Sequence, residues 1–221
     1  MVIGLVLLGL TALMLFLGVA KKVFQNFGVP YLAAFVLVGA LIGCAFIPSF
    51  SIGSARISVA GFIAPTVFAS VLFFLAVRRR EAWRALVSMT AVLAVYVAIR
   101  LLIDPITSAT VTVIVAGFLC GAVAYLTAKT ELAALAAVFA ALPVGDVISG
   151  AVGLFVSETP IALGSAAVFD AVILAAVFSV VLYETVAAIK RTMNARARRS
   201  LAEAEASEEF DPNEYKRYFD E

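Results

Sequence analysis

Apolar runs of about 18 or more residues recur from one end of this chain to the other, and nothing else constrains its fold so tightly. Each run can cross roughly 30 Å of hydrocarbon as a helix. Inside a bilayer the backbone must satisfy its own hydrogen bonds, which leaves helices or a closed barrel. The runs are continuous rather than alternating, so helices are expected. A chain of 221 residues that is 64% hydrophobic and 14% charged carries more apolar surface than a soluble domain needs. The expected fold is all-α, a polytopic transmembrane bundle of about seven helices over residues 1–189. A basic-then-acidic cytoplasmic tail is expected over 190–221.

Seven spans are read at roughly 2–20, 31–48, 59–77, 85–103, 108–127, 132–156 and 160–189. Polar turns separate them: Lys21–Pro30, the Ser/Gly-rich Ser49–Ser58, the basic segment Arg78–Arg84 with Trp83, Asp104-Pro105, Lys129–Glu131, and Ser157–Pro160. Lys and Arg set the orientation. With the C-terminus in the cytoplasm, fourteen of the sixteen basic residues fall inside, and only Arg56 and Arg100 fall outside. That bias requires an odd number of spans and an outer N-terminus. The expected location is the cytoplasmic (plasma) membrane. No basic residue precedes the first run, and Lys21 and Lys22 follow it, so an uncleaved first helix is expected.

Histidine is absent. This removes Ser-His and Cys-His nucleophile pairs, His-based zinc sites and His-ligated haem together. Cys44 and Cys120 both lie in apolar runs and read as free thiols. No Walker or dinucleotide motif is present, so no cofactor, metal or nucleic-acid partner is expected.

Two acids interrupt the apolar runs: Asp146 in span six and Asp170 in span seven. A carboxylate in hydrocarbon costs about 2.5–3.5 kcal/mol on insertion scales. Each lies about twelve residues from the turn near Glu158–Thr159, which predicts equal depth near mid-membrane. Span six carries small residues at every fourth position from Ala133 through Ala137, Ala141, Gly145 and Ser149 to Gly153. Span seven does the same at Ala167, Ala171, Ala175 and Ser179, and such stripes allow close helix packing. Pro143, three residues before Asp146, predicts a kink or opening there. Three readings of the acids stay open. They could form a proteolytic dyad sharing one proton, with Gly145 admitting substrate. They could bind a proton or small cation in a carrier or channel. Or they could only pack helices, Asp146 capping amides near Ser149 and Asp170 bonding a neighbouring span.

Ser58–Pro65, Val144-Gly145-Asp146 and Gly164–Ala171 together resemble segments of a polytopic family catalogued as "domain of unknown function 1614". Ala60, Ser165 and Ala171 stand where that family has Gly. The label implies a membrane fold and brings no activity. Pro143-Val144-Gly145-Asp146 and Val168-Phe169-Asp170 are similar to the Gly-x-Gly-Asp and Tyr-Asp motifs of presenilin-type intramembrane proteases. Here the order is reversed and Pro143 replaces the first Gly. This likeness implies Asp146 and Asp170 as a catalytic pair supported by Phe169, and a transmembrane peptide as substrate.

Arg100 and Asp104 lie four residues apart near the outer end of span four. They read as a snorkelling pair on one helix face, or as an anion or carboxylate anchor in an outer vestibule. The tail begins with Lys190, Arg191, Arg196, Arg198 and Arg199, suited to an anionic leaflet, and then turns acidic from Glu203. It reads as a solvated helix with a frayed end, or as a docking segment for a cytoplasmic partner bearing Phe210, Tyr215, Tyr218 and Phe219.

Overall fold

The computed structural model describes residues 2–18, 30–52, 55–102, 108–157 and 162–208. The helices are α1 (Val2–Phe16), α2 (Tyr31–Ala45), α3 (Ala64–Arg78), α4 (Ala82–Leu102), α5 (Ala109–Ala128), α6 (Glu131–Ser157) and α7 (Ala166–Glu208). A π-helical turn, Val59–Ile63, leads directly into α3. Five helical stretches are long and apolar enough to cross a membrane, from Val59–Arg78 to Ala166–Ser200. The α1 and α2 helices are shorter, at 15 residues each. At 1.5 Å per residue they reach only about 22 Å.

The Ser49–Ser58 segment, expected to be a loop, contains a hairpin. Strand β1 (Phe50–Ile52) pairs antiparallel with β2 (Ala55–Ile57), and β3 (Ala162–Leu163) joins β2 in parallel. Residues 162–165 are therefore not the start of span seven. The chain pairs with β2 first, and α7 begins only at Ala166. Span six also differs from expectation: α6 runs through Pro143 without interruption, and the helix irregularity lies instead at Val59–Ile63.

The α6 helix forms the centre of the bundle, packing against α4, α3 and α5. Leu132, Ala133, Ala134, Ala136, Ala137, Val138, Ala141 and Leu142 are all buried, so the first half of this helix is apolar and enclosed on most sides. Alanine suits it because lipid offers little hydrophobic drive, and association rests on close backbone approach. The same device joins α5 to α7. A Cβ on Gly117 would come within 2.5 Å of Leu174, and one on Gly121 within 2.7 Å of the Ala175 carbonyl. Between α4 and α5, the Thr127 hydroxyl bonds Ser88 Oγ at 2.9 Å, a polar link between helices.

The chain divides into two compact units, Met1–Leu182 and Tyr183–Glu221. In the second, α7 continues through the basic residues to Glu208, and residues 188–200 are exposed. The side chains of Glu203, Glu205 and Glu208, and residues 209–221 with the tail aromatics, lie outside the described residues. So do Lys21, Lys22, Asp104 and the Glu158–Thr159 turn.

Two basic residues occupy left-handed backbone conformations: Arg80 with φ 59° and Lys129 with φ 60°. Both follow helix ends, after α3 and after α5, where glycine is the usual residue. Arg80→Gly or Lys129→Gly is expected to stabilise the protein by about 1 kcal/mol, because an L side chain is penalised there. Thermal unfolding in detergent reads this out, and a lower Tm in both variants would contradict it.

Candidate functional site

Two hydrogen-bonded contacts fix the level of the site along the bundle. At one end, the Thr130 hydroxyl bonds Glu81 Oε2 at 2.8 Å, so α4 and α6 start side by side. At the other, the Arg100 Nη2 of α4 donates to Asp146 Oδ1 of α6 at 3.4 Å. Counted from Glu81 and Thr130, the pair stands about 24–28 Å along the two helices. A hydrocarbon core is about 30 Å thick, so the pair stands well along both helices from the Glu81–Thr130 end.

Asp146 is 1% exposed and Arg100 24% exposed. The second carboxylate oxygen, Oδ2, accepts the backbone N–H of Gly164 at 2.7 Å. Gly164 has φ +70°, a conformation that turns the chain from β3 towards α7. Its carbonyl lies against Gly61 in the π-helical turn, so closely that a Cβ on Gly61 would overlap it. Ser58 anchors the same junction: its N–H donates to the Leu163 carbonyl at 3.0 Å, and its Oγ accepts the Gly61 N–H at 3.3 Å. Non-helical backbone at such depth is tolerated where it is buried in protein. Gly164 and Gly61 are both buried. The three segments singled out in the sequence, Ser58–Pro65, Gly145-Asp146 and Gly164–Ala171, thus meet at one place.

Asp170 is 6% exposed and sits just past the first turn of α7. Its Oδ1 accepts the N–H of Gly4 at 2.9 Å. The N-terminal amides of α1 lack partners within their own helix, and a carboxylate there is favourable. Phe169 is fully buried, and its ring packs beside the same glycine. The two acids therefore have donors of their own: Arg100 and Gly164 for Asp146, Gly4 for Asp170.

The other residues expected at the site fall around it. Gly145 faces the Tyr96 ring, leaving no room for a side chain: a Cβ would stand 2.5 Å from Cδ1. Ser149 donates to the Gly145 carbonyl at 2.8 Å. Pro143 is buried within the helix. Arg100 reaches across to Asp146, while its expected helix neighbour Asp104 lies outside the described residues. A small cavity of about 20 Å³, room for about one water, adjoins the pair and is lined by Tyr96, Arg100, Thr112, Ala167 and Ala171 among others.

A family model described as "YphA-like integral membrane protein" matches residues 7–205. No curated protein and no solved structure matches. The match supports a polytopic membrane protein in contact with lipid. It carries neither the "domain of unknown function 1614" label nor the presenilin likeness.

Proposed function

We propose, from the premise that the chain belongs to the YphA-like integral membrane protein family, that it is a proton-coupled carrier whose working site is the Arg100–Asp146 pair. One observation carries this reading: a carboxylate that is 1% exposed in a bilayer-spanning helix is held by an arginine from another helix, beside a cavity. A buried ion pair is seldom the cheapest way to join helices, because desolvation offsets most of the attraction. This bundle already packs through Ala and Gly, so packing alone does not call for the pair. Ionisable groups inside membranes mark proton relays and substrate paths. Sites of this kind also gather where non-helical backbone meets intact helices, as Gly164 does at Asp146. Protonation of Asp146 would cancel its charge and weaken its hold on Arg100. In this reading the site lies in the outer half of a plasma membrane, with the Arg78–Arg84 loop inside.

Intramembrane proteolysis is less well supported, because Asp146 and Asp170 each serve separate donors. The test is proton movement into liposomes holding a pH-sensitive dye, under an imposed pH gradient. The native protein should acidify the lumen faster than empty vesicles, and Asp146→Asn should fall to the empty-vesicle rate while still eluting as folded protein. Equal rates for native protein and Asp146→Asn would reject the reading.

A further inference from the structure

At the Glu81–Thr130 end of the bundle, far from Arg100, the basic side chains Arg78, Arg79, Arg80, Arg84 and Lys129 all stand exposed. We propose that they form a binding site for the headgroup phosphate of an anionic phospholipid. This site is separate from the Arg100–Asp146 pair and independent of the carrier reading.

Two turns bring the cations together. The hydrogen bond between Glu81 and Thr130 holds the α3–α4 turn beside the α5–α6 turn. Arg80 and Lys129 are each next in sequence to one partner of that bond. The acids in these two turns are Glu81, which accepts the bond, and the partly buried Glu131, so positive charge predominates. Arg80 and Lys129 both hold left-handed backbone, with φ 59° and 60°. After α3 the closure is tight: the Arg80 N–H donates to the Val77 carbonyl at 3.1 Å, and the Glu81 N–H to the Ala76 carbonyl at 2.8 Å. In such a closure the left-handed position usually belongs to glycine. A cation anywhere in the last helical turn would answer the helix dipole, and one anywhere in the loop would orient the chain. Neither role calls for it at the position that penalises a side chain. An anion bound between the turns would offset that penalty at both places, and the planar arginine fork suits phosphate oxygens.

The surface beside the cations selects a lipid over a free phosphate. Val67, Val71 and Phe74 fall on one face of α3, all exposed. The row ends on Arg78, whose guanidinium carbon stands 5.4 Å from the Phe74 ring centroid. Trp83 lies between Arg80 and Arg84 at the start of α4, is 76% exposed, and suits the headgroup level of a membrane. A molecule with a phosphate at the arginines and an acyl chain along the α3 row meets both surfaces.

The test melts full-length protein in neutral detergent with rising mole fractions of phosphatidylglycerol. Phosphatidylcholine of the same acyl chains and glycerol phosphate without chains are the comparisons. A ligand that binds the folded state raises Tm with its concentration. Phosphatidylglycerol should raise Tm, phosphatidylcholine much less, and glycerol phosphate not at all. In the double variant Arg80→Gly with Lys129→Gly, two effects separate. Without lipid it should melt above native protein, because the backbone penalty is gone. It should nevertheless need about tenfold more phosphatidylglycerol for half of the shift. Arg84→Gln touches neither turn and should need about fivefold more. Arg198→Gln with Arg199→Gln removes as much charge from the far end of α7 and should respond as native protein does. Equal shifts from the two lipids would overturn charge recognition. A glycerol phosphate shift matching that of phosphatidylglycerol would overturn the lipid in favour of a soluble phosphate. A double glycine variant as responsive as native protein, or an α7 variant as impaired as that one, would overturn the site.

Discussion

Alanine in place of Gly61 is expected to abolish a well-folded protein. The added Cβ meets no flexible side chain that could swing away. It overlaps the carbonyl of Gly164 and crowds that of Ser165, both backbone. Gly164 cannot easily retreat, because its φ of +70° and its N–H bond to Asp146 fix it from the other side. Overpacking in a core costs about 1–3 kcal/mol where side chains can relax. Here one strand pairing, the π-helical turn and the Asp146 contact would have to move together, so a loss at or above the top of that range is expected. Size-exclusion profiles and melting curves in detergent give the measurement. Gly39→Ala and Gly43→Ala provide the contrast, since a Cβ at either meets nothing within 4 Å. Both should match native protein or gain up to about 1 kcal/mol from helix propensity. A Gly61→Ala protein melting alongside those two would disprove the tight junction.

Removing the two members of the ion pair should have unequal effects on stability. Stranding a buried charge by deleting its partner costs about 3–5 kcal/mol. Arg100→Leu removes the cation from Asp146, which is 1% exposed. Asp146→Asn strands Arg100, which is 24% exposed and can extend its long side chain towards the interface. It also keeps an acceptor for Gly164. Arg100→Leu should therefore destabilise by several kcal/mol, and Asp146→Asn by about 1–2 kcal/mol. The decisive protein is the double variant. Adding Asp146→Asn to Arg100→Leu should recover more than half of the loss, because it removes the stranded charge. Additive losses in a double-mutant cycle would show that the two residues do not act as a pair.

Much of this was legible in the sequence, and the remainder was hidden for identifiable reasons. Continuous apolar runs determine a helical bundle, since no other open structure satisfies its backbone in lipid. Asp146 and Asp170 stand out because acids are scarce there. The start of the last span differs because Ala162 and Leu163, apolar enough for a helix, pair with β2 and delay α7 to Ala166. Composition cannot separate a short strand from a helix start. Sequence proximity suggested Asp104, which lies outside the described residues, and held no sign of the contact between Arg100 and Asp146, 46 positions away. Pro143 signalled a break that the surrounding helix absorbs, and the true irregularity at Val59–Ile63 has no proline within it. The signal that could have located the site was the coincidence of Gly61 and Gly164, two glycines in unlike segments that turn out to touch.

The bond from Gly4 to Asp170 bears on how the molecule is made. Its partners are separated by 166 positions, so the amide at the head of α1 waits for its acceptor until nearly every other span has been synthesised. A ribosome delivers α1 first and α7 last. Until α7 arrives, the leading helix has its pairing with α2, to which Tyr31 ties it through the Leu15 carbonyl at 2.8 Å. Completion of the bundle thus waits for α7, and a chain released before it would leave α1 unmoored at one end.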